Sequence, residues 1–169
     1  LSYGEILSTK IISDYFTKKG ILSEILNTTD VILTDNCFGN AYVHYQKSFD
    51  NIRNYVKNRS KLQIVTGFIG ATKDGETTTL GRNGSDYTAS IIGAAINAKD
   101  IEIWSDVDGV LSTNPKITKS AKVISELSYE EAMELAHAGA EVLFPPSIIP
   151  ALYKSIPIKI KNTFNQNQK

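Results

Sequence analysis

The sequence predicts an α/β layered fold with a mostly parallel sheet. Two observations carry that prediction. Short apolar, β-branched runs at 62–66, 101–104 and 156–161 alternate with segments whose apolar residues recur at helical spacing. The first two runs stop in turns rich in glycine or aspartate, Gly67-Phe68-Ile69-Gly70 and Ser105-Asp106-Val107-Asp108-Gly109. In sheets of this class ligands sit at the carboxyl ends of strands, so these turns are where chemistry is expected.

Ser2-Tyr3-Gly4-Glu5 has the Ser-x-x-Glu spacing of a capping box. Ile6, Leu7, Ile11, Ile12, Tyr15 and Phe16 follow at helical spacing, and Lys18-Lys19-Gly20 supplies the cations and glycine of a helix end. An extended segment is expected over 31–34 and a loop over 35–40. Ile52, Tyr55 and Val56 mark a short amphipathic helix over 49–57. The polar stretch 71–76 reads as exposed and forms a small hairpin with 77–80. A helix from Asp86 through Ala89, Ile92, Ala95 and Ile96 has enough small residues to pack closely on a sheet. Asn114-Pro115 halts regular structure. Ser128-Tyr129-Glu130-Glu131 repeats the capping-box spacing before a helix with Ala132, Leu135 and Ala136 that Gly139 ends. Phe144-Pro145-Pro146 turns into a helix near 147–153, and 156–161 is the last strand.

The chain has 169 residues, a single-domain length, with 18 basic and 18 acidic side chains. That balance argues against a broad electrostatic footprint for nucleic acid or an anionic membrane. One cysteine, Cys37, excludes an internal disulfide framework, fits a reducing, cytoplasmic setting and reads as a small packing residue. His44 and His137 are isolated, without metal-ligand spacing, and His137 reads as a helix-surface residue. No apolar run reaches membrane-spanning length. The start at Leu1 and the polar 164–169 tail read as the ends of a piece of something longer.

The stretch 77–89, Thr-Thr-Thr-Leu-Gly-Arg-Asn-Gly-Ser-Asp-Tyr-Thr-Ala, is the candidate site. Glycines let backbone approach a ligand, and the first amides of a helix present unpaired donors with a partial positive charge. Arg82 adds a planar fork suited to a carboxylate or phosphate. The alternative is purely structural: Ser85 or Asp86 caps the helix, and Gly81 and Gly84 serve a turn. Glu5 has the same two readings, cap or ligand.

Five blocks occur in one order: Ser-x-Gly-Glu at 2–5, Gly-Phe-Ile-Gly at 67–70, Thr-Thr-Leu-Gly-Arg-x-Gly-Ser-Asp-Tyr at 78–87, Trp-x-Asp-Val-Asp-Gly-Val at 104–110 and Ser-Tyr-Glu-Glu-Ala at 128–132. In that order they resemble the aspartokinases of the amino acid kinase superfamily. Asn83 and the Asp-Val-Asp-Gly wording resemble the kinase part of bifunctional aspartokinase–homoserine dehydrogenases. The resemblance implies a three-layer α/β/α arrangement around a mostly parallel central sheet, a partial amino acid kinase (carbamate-kinase-like) fold, over 1–163. It implies phosphorylation of the aspartate side-chain carboxylate with ATP and Mg²⁺, the first step toward lysine and threonine.

By the same resemblance, Glu5 holds the substrate α-ammonium and Arg82 its α-carboxylate. Phe68 and Ser85 line that pocket, and Asp86 orients groups around the transferring phosphate. Ser105, Asp106, Lys116 and Val142 belong to the nucleotide side. The expected partners are L-aspartate, ATP, the amino-terminal segment of the same enzyme, and a second copy in a homodimer. An ionised carboxylate nucleophile needs no general base, so positioning and charge neutralisation suffice.

The sequence also departs from the family. Its Lys-Phe-Gly-Gly segment, source of a phosphate-neutralising lysine, is absent, so this chain alone is expected not to turn over aspartate. Without the regulatory domains, feedback inhibition is expected to be absent. Leu111 replaces a tyrosine, Lys116 an arginine, Phe144 a histidine, and Glu141 a lysine that would face a phosphate. An open edge or apolar face left by the absent strands predicts pairing with a partner. Two other functions stay open: a kinase for another small acceptor, such as glutamate, acetylglutamate or a nucleotide, and a non-catalytic nucleotide- or amino-acid-binding module.

Overall fold

The computed structural model describes residues 2–113, 118, 120–137 and 145–165. Helix α1 (Ser2–Lys18) leads through a short turn to strand β1 (Ser23–Leu26) and a 3-10 turn, Thr28–Asp30. Then come α2 (Tyr45–Val56), β2 (Leu62–Val65), β3 (Ile69–Ala71), β4 (Thr77–Thr79) and α3 (Gly84–Ile96). Strand β5 (Ile101–Ser105), α4 (Tyr129–His137), α5 (Pro145–Tyr153) and β6 (Ile158–Asn162) complete the order.

Strands separated by helices pair in parallel, as the alternating pattern predicts: β1 with β2 from Ser23↔Leu62 to Leu26↔Val65, and β5 with β6 from Ile101↔Ile158 to Ser105↔Asn162. The hairpin β3–β4 is antiparallel, as its short connection requires, and a single parallel bridge, Leu33↔Ala71, joins it to the 31–34 segment. Strands β1 and β2 lie against α1. Leu26 and Val65 share a core with Ile52 and Phe49 of α2 and with Ile91, Ala95 and Tyr87 of α3. A second cluster, Ile101, Ala151 and Ile156, joins β5 to α5. Helix α3 is the central beam, touching α2, α5 and β5. Its small residues permit this: a Cβ on Gly93 would lie 2.7 Å from Ile101 Cδ1.

Several boundaries move. Strand β1 was not expected, because Ser23-Glu24-Ile25-Leu26 lacks the β-branched run that marks β2. The 31–34 segment forms only isolated bridges, Leu33↔Ala71 and Thr34↔Val43. Helix α2 begins four residues earlier than expected, where Tyr45 joins the core. Of 71–76, Ala71 and Thr72 are buried and the rest is exposed. Cys37 is exposed rather than packed: the Asp35 carboxylate accepts from its N–H and from that of Tyr42, holding a surface loop.

The two capping-box spacings part company. At α4 the box forms, with the Ser128 N–H donating to Glu131 Oε2 at 2.8 Å and the Glu131 N–H to Ser128 Oγ at 3.1 Å. At α1 Ser2 already lies inside the helix, and among the described residues no bond links Glu5's carboxylate to it.

Candidate functional site

The turn that follows strand β2 lies close against the start of helix α3. Beyond Val65 the chain runs through Thr66 and Gly67 to Phe68, whose φ of 70° places a bulky residue in the left-handed region. Both polar groups of its backbone are held. The N–H donates to Thr88 Oγ1 at 3.0 Å, and the carbonyl accepts from the Leu80 N–H at 2.9 Å. A Cβ on Gly67 would lie 3.1 Å from Ser85 Cβ and 3.2 Å from Ser85 Cα, and one on Gly84 only 2.6 Å from Phe68 Cδ2. Glycine at both positions is therefore what lets the turn lie on the first turn of α3. Below it, buried Thr28 and Thr66 pair hydroxyl to hydroxyl at 2.9 Å, and Thr28 Oγ1 donates to the Ile69 carbonyl at 2.7 Å.

The N-cap of α3 is Asn83, with φ 54° and no side-chain capping bond. Neither Ser85 nor Asp86 is thus the cap, while Gly81 and Gly84 do form a turn, joined by the Gly84 N–H on the Gly81 carbonyl. Ser85 and Asp86 lie in the first turn, at the positive end of the helix. Asp86 is half-buried, and burial pushes its carboxyl above the ordinary range despite a 3.4 Å hydrogen bond from Asn83 Nδ2. Glu5 Oε2 stands 3.8 Å from where a Gly67 Cβ would be, so its carboxylate reaches the same junction from α1.

Arg82 is exposed, and among the described residues it makes no ion pair with Glu5 or Asp86. Its loop is nonetheless fixed on both sides. Gly81 takes the left-handed φ of 79° beside the Asn40 side chain, and the Gly84 N–H donates to the Gly81 carbonyl at 3.1 Å. Glu5, Phe68, Ser85 and Asp86 thus gather at one junction, with Arg82 exposed on the adjoining loop.

Ser105 and Asp106 are placed separately, at the carboxyl end of β5. Ser105 Oγ donates to Asp106 Oδ1 at 3.1 Å, and the Ser105 carbonyl accepts from the Thr163 N–H at 2.8 Å. Asp108, expected as a simple turn residue, ties this end to that of β6 by accepting from Asn162 Nδ2 at 2.8 Å and Asn165 Nδ2 at 3.2 Å. Lys116, Glu141, Val142 and Phe144 lie outside the described residues. Two open cavities, of about 870 Å³ beside Tyr42 and Lys73 and about 670 Å³ beside Asp108 and Tyr129, include none of the expected site residues. We place the site at the loop–helix junction because polar groups and backbone converge there.

Thr88 and Thr28 were not anticipated as parts of the site. Thr88 had a faint signal, standing one helical turn after Gly84 on the face that meets the glycine turn.

The amino acid kinase family model matches residues 1–162. The bifunctional aspartokinase/homoserine dehydrogenase of Buchnera aphidicola is 40% identical over 167 residues, which is 98% of this chain and 20% of that protein. Aspartokinase 1, chloroplastic, of Arabidopsis thaliana is 39% identical over 170 residues, 98% of this chain and 30% of that one. The crystal structure of Escherichia coli aspartokinase III in complex with aspartate and ADP superposes with a TM-score of 0.93 at 33% identity, covering 98% of this chain and 38% of that one. The chain therefore spans between 20% and 38% of the length of these proteins.

Proposed function

Since the chain belongs to the amino acid kinase family, we propose that it is the carboxyl-proximal part, over 1–163, of an aspartate kinase catalytic domain. The observation that carries this reading is the Gly67–Phe68 turn lying on the first turn of α3, with a carboxylate from α1 beside it. A carboxylate, a helix start and a guanidinium on the adjoining loop match the ammonium and carboxylate of an α-amino acid.

The substrate is L-aspartate and the phosphoryl donor ATP. In the transfer, the side-chain carboxylate oxygen bonds to the γ-phosphorus as the bridging P–O bond to ADP breaks, and the leaving electron pair stays on ADP. The carboxylate is ionised at neutral pH, so no side chain need take a proton. Glu5 holds the ammonium and Arg82 the α-carboxylate. Phe68 and Ser85 wall the pocket, and Asp86 orients donors around the moving phosphoryl group. Ser105 and Asp106 meet the nucleotide, as do Lys116 and Val142 by family resemblance. No trio of His, Cys, Asp or Glu among the described residues could cage a metal alone. Mg²⁺ fits here only as a companion of nucleotide phosphates, its ordinary mode, and none of the steps above is assigned to it.

Among the described residues no helix is long and apolar enough to cross a membrane, and the cytoplasm is the proposed location. The exposed apolar side of α1 is proposed to pack against the amino-terminal part of the catalytic unit or a second copy. Calorimetry tests the substrate. L-aspartate is expected to bind, N-acetyl-L-glutamate is not, and Arg82→Ala is expected to weaken aspartate by about 10–100-fold, the range for a charged hydrogen bond. Equal binding of both acids would overturn the assignment.

A further inference from the structure

Phe68 holds an unfavourable backbone conformation at the centre of the candidate pocket. Left-handed φ costs an L-residue with a large side chain, and it persists only where surroundings over-determine it. The neighbours of Phe68 show what does so. Thr88, one turn into α3 and 3% exposed, accepts the Phe68 N–H at 3.0 Å and donates its own hydroxyl hydrogen to the Gly84 carbonyl at 2.8 Å. One hydroxyl therefore fastens the turn that presents Phe68 to the helix start that presents Ser85 and Asp86.

We propose that Thr88 is a positioning residue for the amino-acid pocket, holding Phe68 in its left-handed conformation and in register with the first turn of α3. The inference deepens the aspartate-kinase reading and rests on it. The Ile69 N–H on the Gly67 carbonyl at 2.8 Å also holds the turn, but it supplies no acceptor for the Phe68 N–H. The carbonyl of Phe68 is fixed by Leu80, but its N–H has Thr88 as its partner, and the site is too buried for water to stand in freely. Without that acceptor the Phe68 N–H is left unpaired and the turn loses its tie to the start of α3, which loosens the placement of the ring beside Gly84. The helix tolerates the change, because a threonine hydroxyl bonded to the carbonyl four residues back adds little to helix stability.

Thr88→Val, near-isosteric and without the acceptor, and Thr88→Ser, which keeps it, separate positioning from packing. Two readouts are taken on each: L-aspartate affinity by calorimetry, and hydrogen exchange of the Phe68 amide, which needs no ligand. Thr88→Val is expected to weaken aspartate about tenfold, about 1.4 kcal/mol, and to speed Phe68 exchange at least tenfold. Thr88→Ser is expected to stay within about twofold of wild type in both. If Thr88→Val does not fold, Thr88→Ala, which makes no steric demand, is measured instead, with the same expectation. A folded Thr88→Val protein with unchanged Phe68 protection and aspartate affinity overturns the proposal. Faster Phe68 exchange in Thr88→Val, together with a wild-type protein that binds no aspartate, would overturn the substrate reading and the pocket role while leaving the clamp standing.

Discussion

Asp86 sits at the first turn of α3, half-buried, with Asn83 Nδ2 as its hydrogen-bond donor at 3.4 Å. Burial raises its pKa above the ordinary 3.8, so the folded chain binds that proton more tightly than the unfolded one. Stability therefore falls as pH rises from that ordinary value through the raised one, and the deficit persists at neutrality. Asp86→Asn is expected to raise the melting temperature at pH 7 and to lose that advantage below pH 3.8. A pH-independent gain in thermal unfolding experiments would show that desolvation of the charge is not its origin. A carboxylate kept at a stability cost is compatible with the proposed role of Asp86. At this scale residue type marks Arg82 and Asp86 as candidates in the sequence without saying where their side chains lie. The sequence was unreadable where chemistry depends on orientation: the same Ser-x-x-Glu spacing caps α4 but frees Glu5 at α1.

Three helices end in the same geometry, and only one of those ends could be foreseen. At α1 Gly20, φ 75°, is the left-handed residue, with the Ile21 N–H donating to the Phe16 carbonyl at 2.9 Å. At α3 the position is Asn97, φ 50°, and at α5 Ser155, φ 51°. The corresponding bonds run from Ala98 to Gly93 at 2.9 Å and from Ile156 to Ala151 at 3.0 Å. Serine gives no sequence signal for such an end and bears the steric cost. Ser155→Gly is expected to stabilise by about 1 kcal/mol, a rise of about 2–4 °C in melting temperature. A decrease would mean that the Ser155 side chain contributes more than its backbone strain costs.

Strand β1 escaped detection for a related reason: its pairing with β2 leans on charge as well as on an apolar run. Arg59 Nη1 lies 2.6 Å from Glu24 Oε2 and Lys61 Nζ 3.1 Å from Oε1. Hydrogen bonds from Arg59, Lys61 and Gln63 hold the Glu24 pKa at about 2, down from 4.5. Their contribution is complete above pH 4.5 and lost as pH falls toward 2. Glu24→Gln should flatten the acid limb of the stability curve across that window, and an unchanged limb would assign acid unfolding to other carboxylates.

On the scale of the whole molecule, α1 is the unusual element. Tyr3, Leu7, Ile11 and Tyr15, spaced by four along one side, are 77%, 58%, 68% and 56% exposed, and in the whole helix only Thr9 is buried. Its pattern marked a helix but not where the apolar side would go, since a stripe specifies burial without naming the cover. Cover by a second copy predicts self-association at about 50 µM in sedimentation velocity, abolished by Ile11→Glu. A monomer at every concentration would contradict it. The α/β layering was legible because β-branched runs and helical spacing alternate in order. The junction was not, because Gly67 and Gly84 declare a close approach without saying to what.

The junction of α1, the Gly67–Phe68 turn and α3 is proposed to read both ends of an α-amino acid. The most direct test is calorimetric titration with L-aspartate beside N-acetyl-L-aspartate, whose ammonium is masked. Saturable one-to-one binding of the free amino acid is expected, with the acetylated one at least about tenfold weaker and Glu5→Gln erasing the difference. Equal affinity for the two, unaltered by Glu5→Gln, would contradict the account.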